Sequence, residues 1–118
     1  MATKKTNSDG VKNRQTAADS LSAELTAKLL HNFSVQPEAA TDEHFYNALV
    51  LVLRDRMRTA RVDYLHRAHQ QQAKQVYYLC MEFLMGRSLK NTLYNLNLTE
   101  AAEAALASFG VRLDALYE

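Results

Sequence analysis

The chain has 118 residues, 47% of them hydrophobic and 23% charged, with a formal net charge of +1. Those values suit one small globular domain with a modest core and argue against a general binder of nucleic acid or anionic membrane. A single cysteine excludes an internal disulfide framework, and three glycines with one proline point to long helices rather than a turn-rich β fold.

Residues 1–19 are polar, with almost no large apolar group, and are expected to form a disordered tail. No apolar stretch follows Lys4 and Lys5, and no apolar run is long enough to span a bilayer, so a cytoplasmic protein is expected. From Ser20 to Phe33, Leu21, Leu25, Leu29 and Phe33 recur every four residues, which predicts one helical face with Asp19 or Ser20 as cap. Val35-Gln36-Pro37-Glu38 breaks the pattern, because proline disfavours helix at the residue before it.

Thr41 is placed to cap a second helix, with Asp42 and Glu43 in the first turn, where negative charge favours the helix dipole. Phe45, Leu49, Val52, Leu53, Met57 and Ala60 keep the helical period, and the pattern extends through Tyr64, Leu65 and Ala68 to near Gln72. Arg54, Arg56, Arg58, Arg61 and Arg67, set against Asp55 and Asp63, make this helix locally basic. Positions 54, 56, 58 and 61 read as spread around it, which predicts a solvated surface with scattered ion pairs rather than a nucleic-acid interface. His66 and His69 are three apart, but no third ligand completes a metal set, and no metal is expected.

From Val76 to Met81 every residue is apolar or aromatic. The run predicts a strand near 75–82, buried on both faces as in a parallel sheet. Glu82 follows at its C-terminal end, where ligands collect in open α/β sheets. It reads either as a site carboxylate or as a structural acid. No other segment reads as a strand, so the chain is expected to be one piece of something larger. Leu89, Leu93 and Leu96 then mark a short helix, and Thr99 is expected to cap another carrying Ala102, Ala105, Leu106 and Phe109. Gly110 is its natural terminator, and a last short turn surrounds Leu113 and Leu116.

The stretch Tyr78-Leu79-Cys80-Met81-Glu82-Phe83-Leu84-Met85-Gly86-Arg87, with Leu89, Asn91 and Asn95-Leu96 behind it, resembles the start of the first sheet in α-glucan phosphorylases. The resemblance runs from about Leu25 to Glu118, and Cys80 stands where that family usually has serine. It implies an α/β parent of two Rossmann-like domains facing a cleft, of which this chain is mostly helix plus the one buried strand. Residues 20–118 would be an incomplete N-terminal part of the N-terminal domain. The implied activity is cleavage of α-1,4-glucan by inorganic phosphate to give glucose 1-phosphate, in an enzyme that the resemblance implies is a homodimer and carries pyridoxal phosphate on a lysine far downstream.

Two site positions carry over by this resemblance. Glu82 matches a glutamate at the floor of the catalytic cleft, in an orienting role, and Leu84 matches a position against the cofactor ring, or else packs in the core. Animal members carry a regulatory serine in the tail, but Ser8 precedes Asp9 and has no arginine beside it. Their nucleotide effector site falls on Arg61, Asp63 and His69 here, all different residue types, so activation by AMP is not expected. The phosphate-cradling loop and the cofactor lysine are not within these residues, so the chain by itself is expected to be inactive. The alternative reading is a truncated, non-catalytic helical interaction module.

Overall fold

A computed structural model of the chain describes residues 8–81 and 87–118. Four helices carry the fold: α1 (Ser8–Phe33), α2 (Asp42–Gln70), α3 (Leu89–Asn95) and α4 (Thr99–Ala107). Short 3-10 turns cover Pro37–Ala39 and Asp114–Tyr117.

Each helix forms where local chemistry favours it. Thr41 caps α2 as expected: its Oγ1 accepts from the His44 N–H, and His44 Nδ1 accepts from the Thr41 N–H at 3.1 Å. Helix α1 begins at Ser8, well before the start near Ser20 that the leucine spacing marks. Its first turns bury no large apolar residue, Val11 being exposed. They dock instead through Ala17 and Ala18 against the core and through an Arg14–Glu100 contact to α4 at 3.3 Å. Thr99 does not cap α4. It is the first helical residue, and Leu98 occupies the cap position without a side-chain hydrogen bond.

The C-terminal ends of the helices follow one rule. Ser34, Gln72, Asn97 and Gly110 each have positive φ, of 55°, 50°, 55° and 75°. After Gln72, Asn97 and Gly110 the chain closes with the paired backbone bonds of a Schellman ending, such as Leu98 N–H to the Leu93 carbonyl at 2.9 Å. Gly110, and more weakly Asn97, announce this in their residue type.

The core is a single cluster. Leu21, Leu25 and Leu29 of α1 are fully buried against Phe45, Ala48, Leu49, Val52 and Leu53 of α2. Ala101, Ala102, Ala105 and Leu106 of α4 close the other side of α1, their small side chains letting the helices approach. Leu89, Leu93, Leu113 and Leu116 seal the edges, and the Phe45 and Phe109 rings meet at 5.4 Å. At the α1–α2 seam, Arg56 donates to both Glu24 carboxylate oxygens, at 2.6 and 3.2 Å, and Lys28 pairs with Asp55 at 2.7 Å.

The buried strand near 75–82 does not form. Residues 73–80 have no regular structure, Val76 is 91% exposed and Met81 99%, and no strand exists among the described residues. The reason is physical. A β-prone run pairs only if another edge supplies a hydrogen-bonding ladder and something covers its faces. The described residues offer neither, so the segment that reads as mostly helix plus one strand is helical and irregular only. The chain is also less compact than a sphere: its radius of gyration is 17.7 Å, against about 13–14 Å for a compact domain of this length. The second half of α2 and the run after it account for this, since the buried positions of α2 end at Leu53.

Candidate functional site

Both predicted site residues, Glu82 and Leu84, lie outside the described residues, as does Gly86. What the structure places is their flanks. On one side stands the exposed run ending at Met81; on the other, Arg87 donates from Nη1 to the Tyr117 carbonyl at 3.0 Å. That bond ties the entry of α3 to the final 3-10 turn and gives Arg87 a structural task that its sequence context does not suggest. Cys80 is half-buried.

On α2, Arg61, Asp63 and His69 are all exposed. His66 Nε2 lies 3.1 Å from Gln70 Nε2, and no group of three or more His, Cys, Asp or Glu side chains suited to a metal ion occurs among the described residues.

The structure assembles a feature that the sequence reading dispersed. Arg54, Arg58 and Arg61 line one groove between α2 and α3, with a volume of about 590 Å³. At about 100° per residue, Arg58 and Arg61 fall within roughly 40° of Arg54 around the helix, while Arg56 points about 160° away. Arg56 accordingly faces α1 and pairs with Glu24. Tyr46, Val50, Leu53 and Met57 give the groove an apolar wall, and Ser88 and Thr92 bring hydroxyls from the α3 side. No carboxylate lines it. The spacing i, i+4, i+7 at 54, 58 and 61 was the available signal, obscured by counting Arg56 with the others.

The nearby acids are engaged elsewhere. Asp55 is held below the usual carboxylate range, first by the hydrogen bond from Lys28, which outweighs the opposing effect of desolvation, and further by the charges of Lys28, Arg54 and Arg58. Tyr117 is the opposite case. Burial pushes its phenol up, with Glu103 and Asp114 adding to the effect, and its hydroxyl has no hydrogen-bond partner among the described residues. Lys90 Nζ sits 5.8 Å from the centre of that ring.

Comparison with known proteins places the chain. It is 29% identical over 100 residues to a glycogen phosphorylase of Pasteurella multocida, covering 85% of this chain and 12% of that protein. It is 37% identical over 79 residues to the brain form of glycogen phosphorylase from Bos taurus, covering 67% of this chain and 9% of the relative. The H isozyme of α-glucan phosphorylase from Vicia faba is 43% identical over 74 residues, 62% of this chain and 9% of the relative. No protein-family model matches the chain, and no solved structure matches it significantly. The chain thus spans only about a tenth of the length of these relatives. Over most of its own length, this chain is a relative of the glycogen and α-glucan phosphorylases.

Proposed function

We propose that these residues are an N-terminal portion of an α-1,4-glucan phosphorylase, a cytoplasmic homodimeric enzyme of glycogen or starch breakdown. The complete polypeptide uses inorganic phosphate to cleave α-1,4-glucan and releases glucose 1-phosphate. One observation carries the reading: similarity to proteins named glycogen or α-glucan phosphorylase over 62–85% of this chain.

In this reading the bundle of α1, α2 and α4 is a framework, and the segment after Met81 carries the chemistry. Glu82 orients groups in the catalytic cleft, and Leu84 lies near the cofactor ring. Glu82 is not half of a glycosidase pair, because no second acid accompanies it between Gln75 and Asn95.

Pyridoxal phosphate supplies a phosphate group that takes part in proton transfer when it is bound. The described residues do not make a site for it. Lys28 is engaged with Asp55, Lys90 lies over the Tyr117 ring, and no lysine lines the arginine groove. The cofactor's lysine and its phosphate-holding residues belong to other parts of the polypeptide, and the 118-residue chain alone is inactive.

The test is a phosphorolysis assay. The protein made from the complete reading frame that contains this segment is incubated with glycogen, starch or maltodextrin, inorganic phosphate and pyridoxal phosphate. Release of glucose 1-phosphate, and sedimentation as a dimer, are the expected results. If the reading frame is complete and the folded product releases none, the enzyme reading is wrong. The helical interaction module then takes its place, a reading favoured by the exposed apolar run at 76–81.

A further inference from the structure

We propose that the groove between the first turns of α1 and the start of α4 binds a short neutral oligosaccharide, one sugar ring lying on Tyr94. The inference stands on this chain's own structure and goes beyond the enzyme reading above, which concerns the segment after Met81.

On α1, Val11, Arg14, Gln15 and Ala18 recur at i, i+3, i+4 and i+7, so they share one face and line the groove together. Glu100, Ala101 and Ala104 of α4 supply the opposite wall. The alanines at 17, 18, 101 and 104 leave a space of about 690 Å³ where longer side chains would close the seam. That volume is of the size that holds a small organic ligand. Val11 to Ala18 spans about 10 Å along the helix, room for a short stretch of a sugar chain.

The chemistry of the walls selects a neutral, hydroxyl-rich ligand. Among the described residues, Arg14 and Glu100 are the charged groups of the lining, and they pair with each other at 3.3 Å. A charged ligand therefore finds no unbalanced counter-charge there. The other polar lining groups are the amides of Asn13, Gln15 and Asn97 and the Thr99 hydroxyl. Amide and hydroxyl side chains both donate and accept, which matches the adjacent hydroxyls of a sugar ring. Gln15 Nε2 already donates to Asp19 at 3.3 Å, and its carbonyl oxygen is left to accept. Tyr94 lines the same groove and is 75% exposed, an aromatic surface that nothing in the fold uses. Its ring can take the apolar C–H face of a sugar while its hydroxyl stays in water. An extended peptide is a poorer match, because the described residues contain no strand edge to pair with it.

The experiment is an NMR titration of the 118-residue chain with maltotriose, with cellotriose and with an end-blocked trialanine peptide, one at a time. At least one trisaccharide is expected to saturate in the millimolar range and to move the resonances of residues 11–18 and 94–104. Its affinity should be the same at low and high salt, since no charge is neutralised on binding. The peptide should give no saturable shift there. Tyr94→Ala should lose about tenfold in affinity and Tyr94→Phe almost nothing, because the ring face is what the sugar needs. Ala104→Leu adds bulk at an exposed position of the groove and should abolish binding in a chain that still folds. Arg112→Gln, outside the groove, should change nothing. Binding of neither trisaccharide, shifts confined to other parts of the molecule, equal binding of the peptide, or undiminished binding by folded Tyr94→Ala or Ala104→Leu would each overturn the proposal. The phosphorolysis assay does not depend on this groove, so its failure and the failure of this proposal are separate results.

Discussion

Two substitutions of aromatic residues separate the helical structure from the buried-strand expectation. Phe45 is 1% exposed, sits in the middle of the core, and meets the Phe109 ring at 5.4 Å. Removing its ring leaves a cavity that neighbours fill only in part, a loss of about 3–5 kcal/mol, of which the ring pair accounts for roughly 0.5–1.5. Small domains have about 5–15 kcal/mol in total, so Phe45→Ala should remove much or most of the stability. Tyr78 is 87% exposed. Tyr78→Ala should change stability by no more than about 0.5 kcal/mol, whereas a tyrosine in a buried strand would cost several times that. Urea titrations of both variants, followed at the core methyl resonances of Leu49 and Val52, measure the two on one scale. A Tyr78→Ala loss comparable to that of Phe45→Ala would refute the reasoning and restore the strand.

Thr41→Ala should cost about 1 kcal/mol by removing the α2 cap, measured as a shift in the same urea midpoint. Gly110→Ala should destabilise by about 1 kcal/mol, because an added Cβ meets no atom within 4 Å but φ is +75°. Gln72→Gly should do the reverse by a few tenths to about 1 kcal/mol, since it relieves the same conformation at the end of α2. Acid stability should report the Asp55–Lys28 pair. The folded carboxyl titrates below its ordinary value of 3.8, so its contribution is complete above that pH and disappears as pH falls through the folded value. Lys28→Met should remove the larger part of this pH dependence in a melting series from neutral to strongly acidic solution, leaving what Arg54 and Arg58 contribute. In the complete polypeptide, Glu82→Gln should lower turnover by about 10²-fold with little change in melting temperature. Near-normal turnover in a well-folded variant would end the catalytic role proposed for that residue.

What the sequence disclosed depended on how local the cause was. The Thr41 cap, the α2 period and the Gly110 stop are set by residues a few positions apart, and each can be read from side-chain type. The extension of α1 back to Ser8 could not, because a lone exposed Val11 marks no periodic face. Ala17, Ala18 and Arg14 become informative only once α4 lies beside them. The left-handed endings at Ser34 and Gln72 were hidden for a similar reason, as such residues adopt them only when the following backbone bonds compensate. The run Val76–Met81 shows the converse. Its composition states what the segment would do inside a sheet, and composition carries no information on whether a sheet is there. The arginine groove was half legible. Helical spacing already separates Arg56 from Arg54, Arg58 and Arg61, but the α3 wall comes from residues more than 25 positions further on, and no local pattern predicts it.

The overhang of α2 gives the molecule an unevenly distributed cooperativity. The helix runs for 29 residues, yet its buried positions all lie between Phe45 and Leu53. Asp55 and Arg56 still tie the helix to α1 through Lys28 and Glu24, but the turns beyond them, to Gln70, carry no buried residue, and helical segments of such length are marginal in water without a packed face. On warming, amides there should exchange with solvent well before those of the packed turns, starting at Gln70 and moving back toward the core. Far-UV and core-methyl transitions would then fail to coincide, so that a single melting temperature describes the packed end of this helix and not the free one.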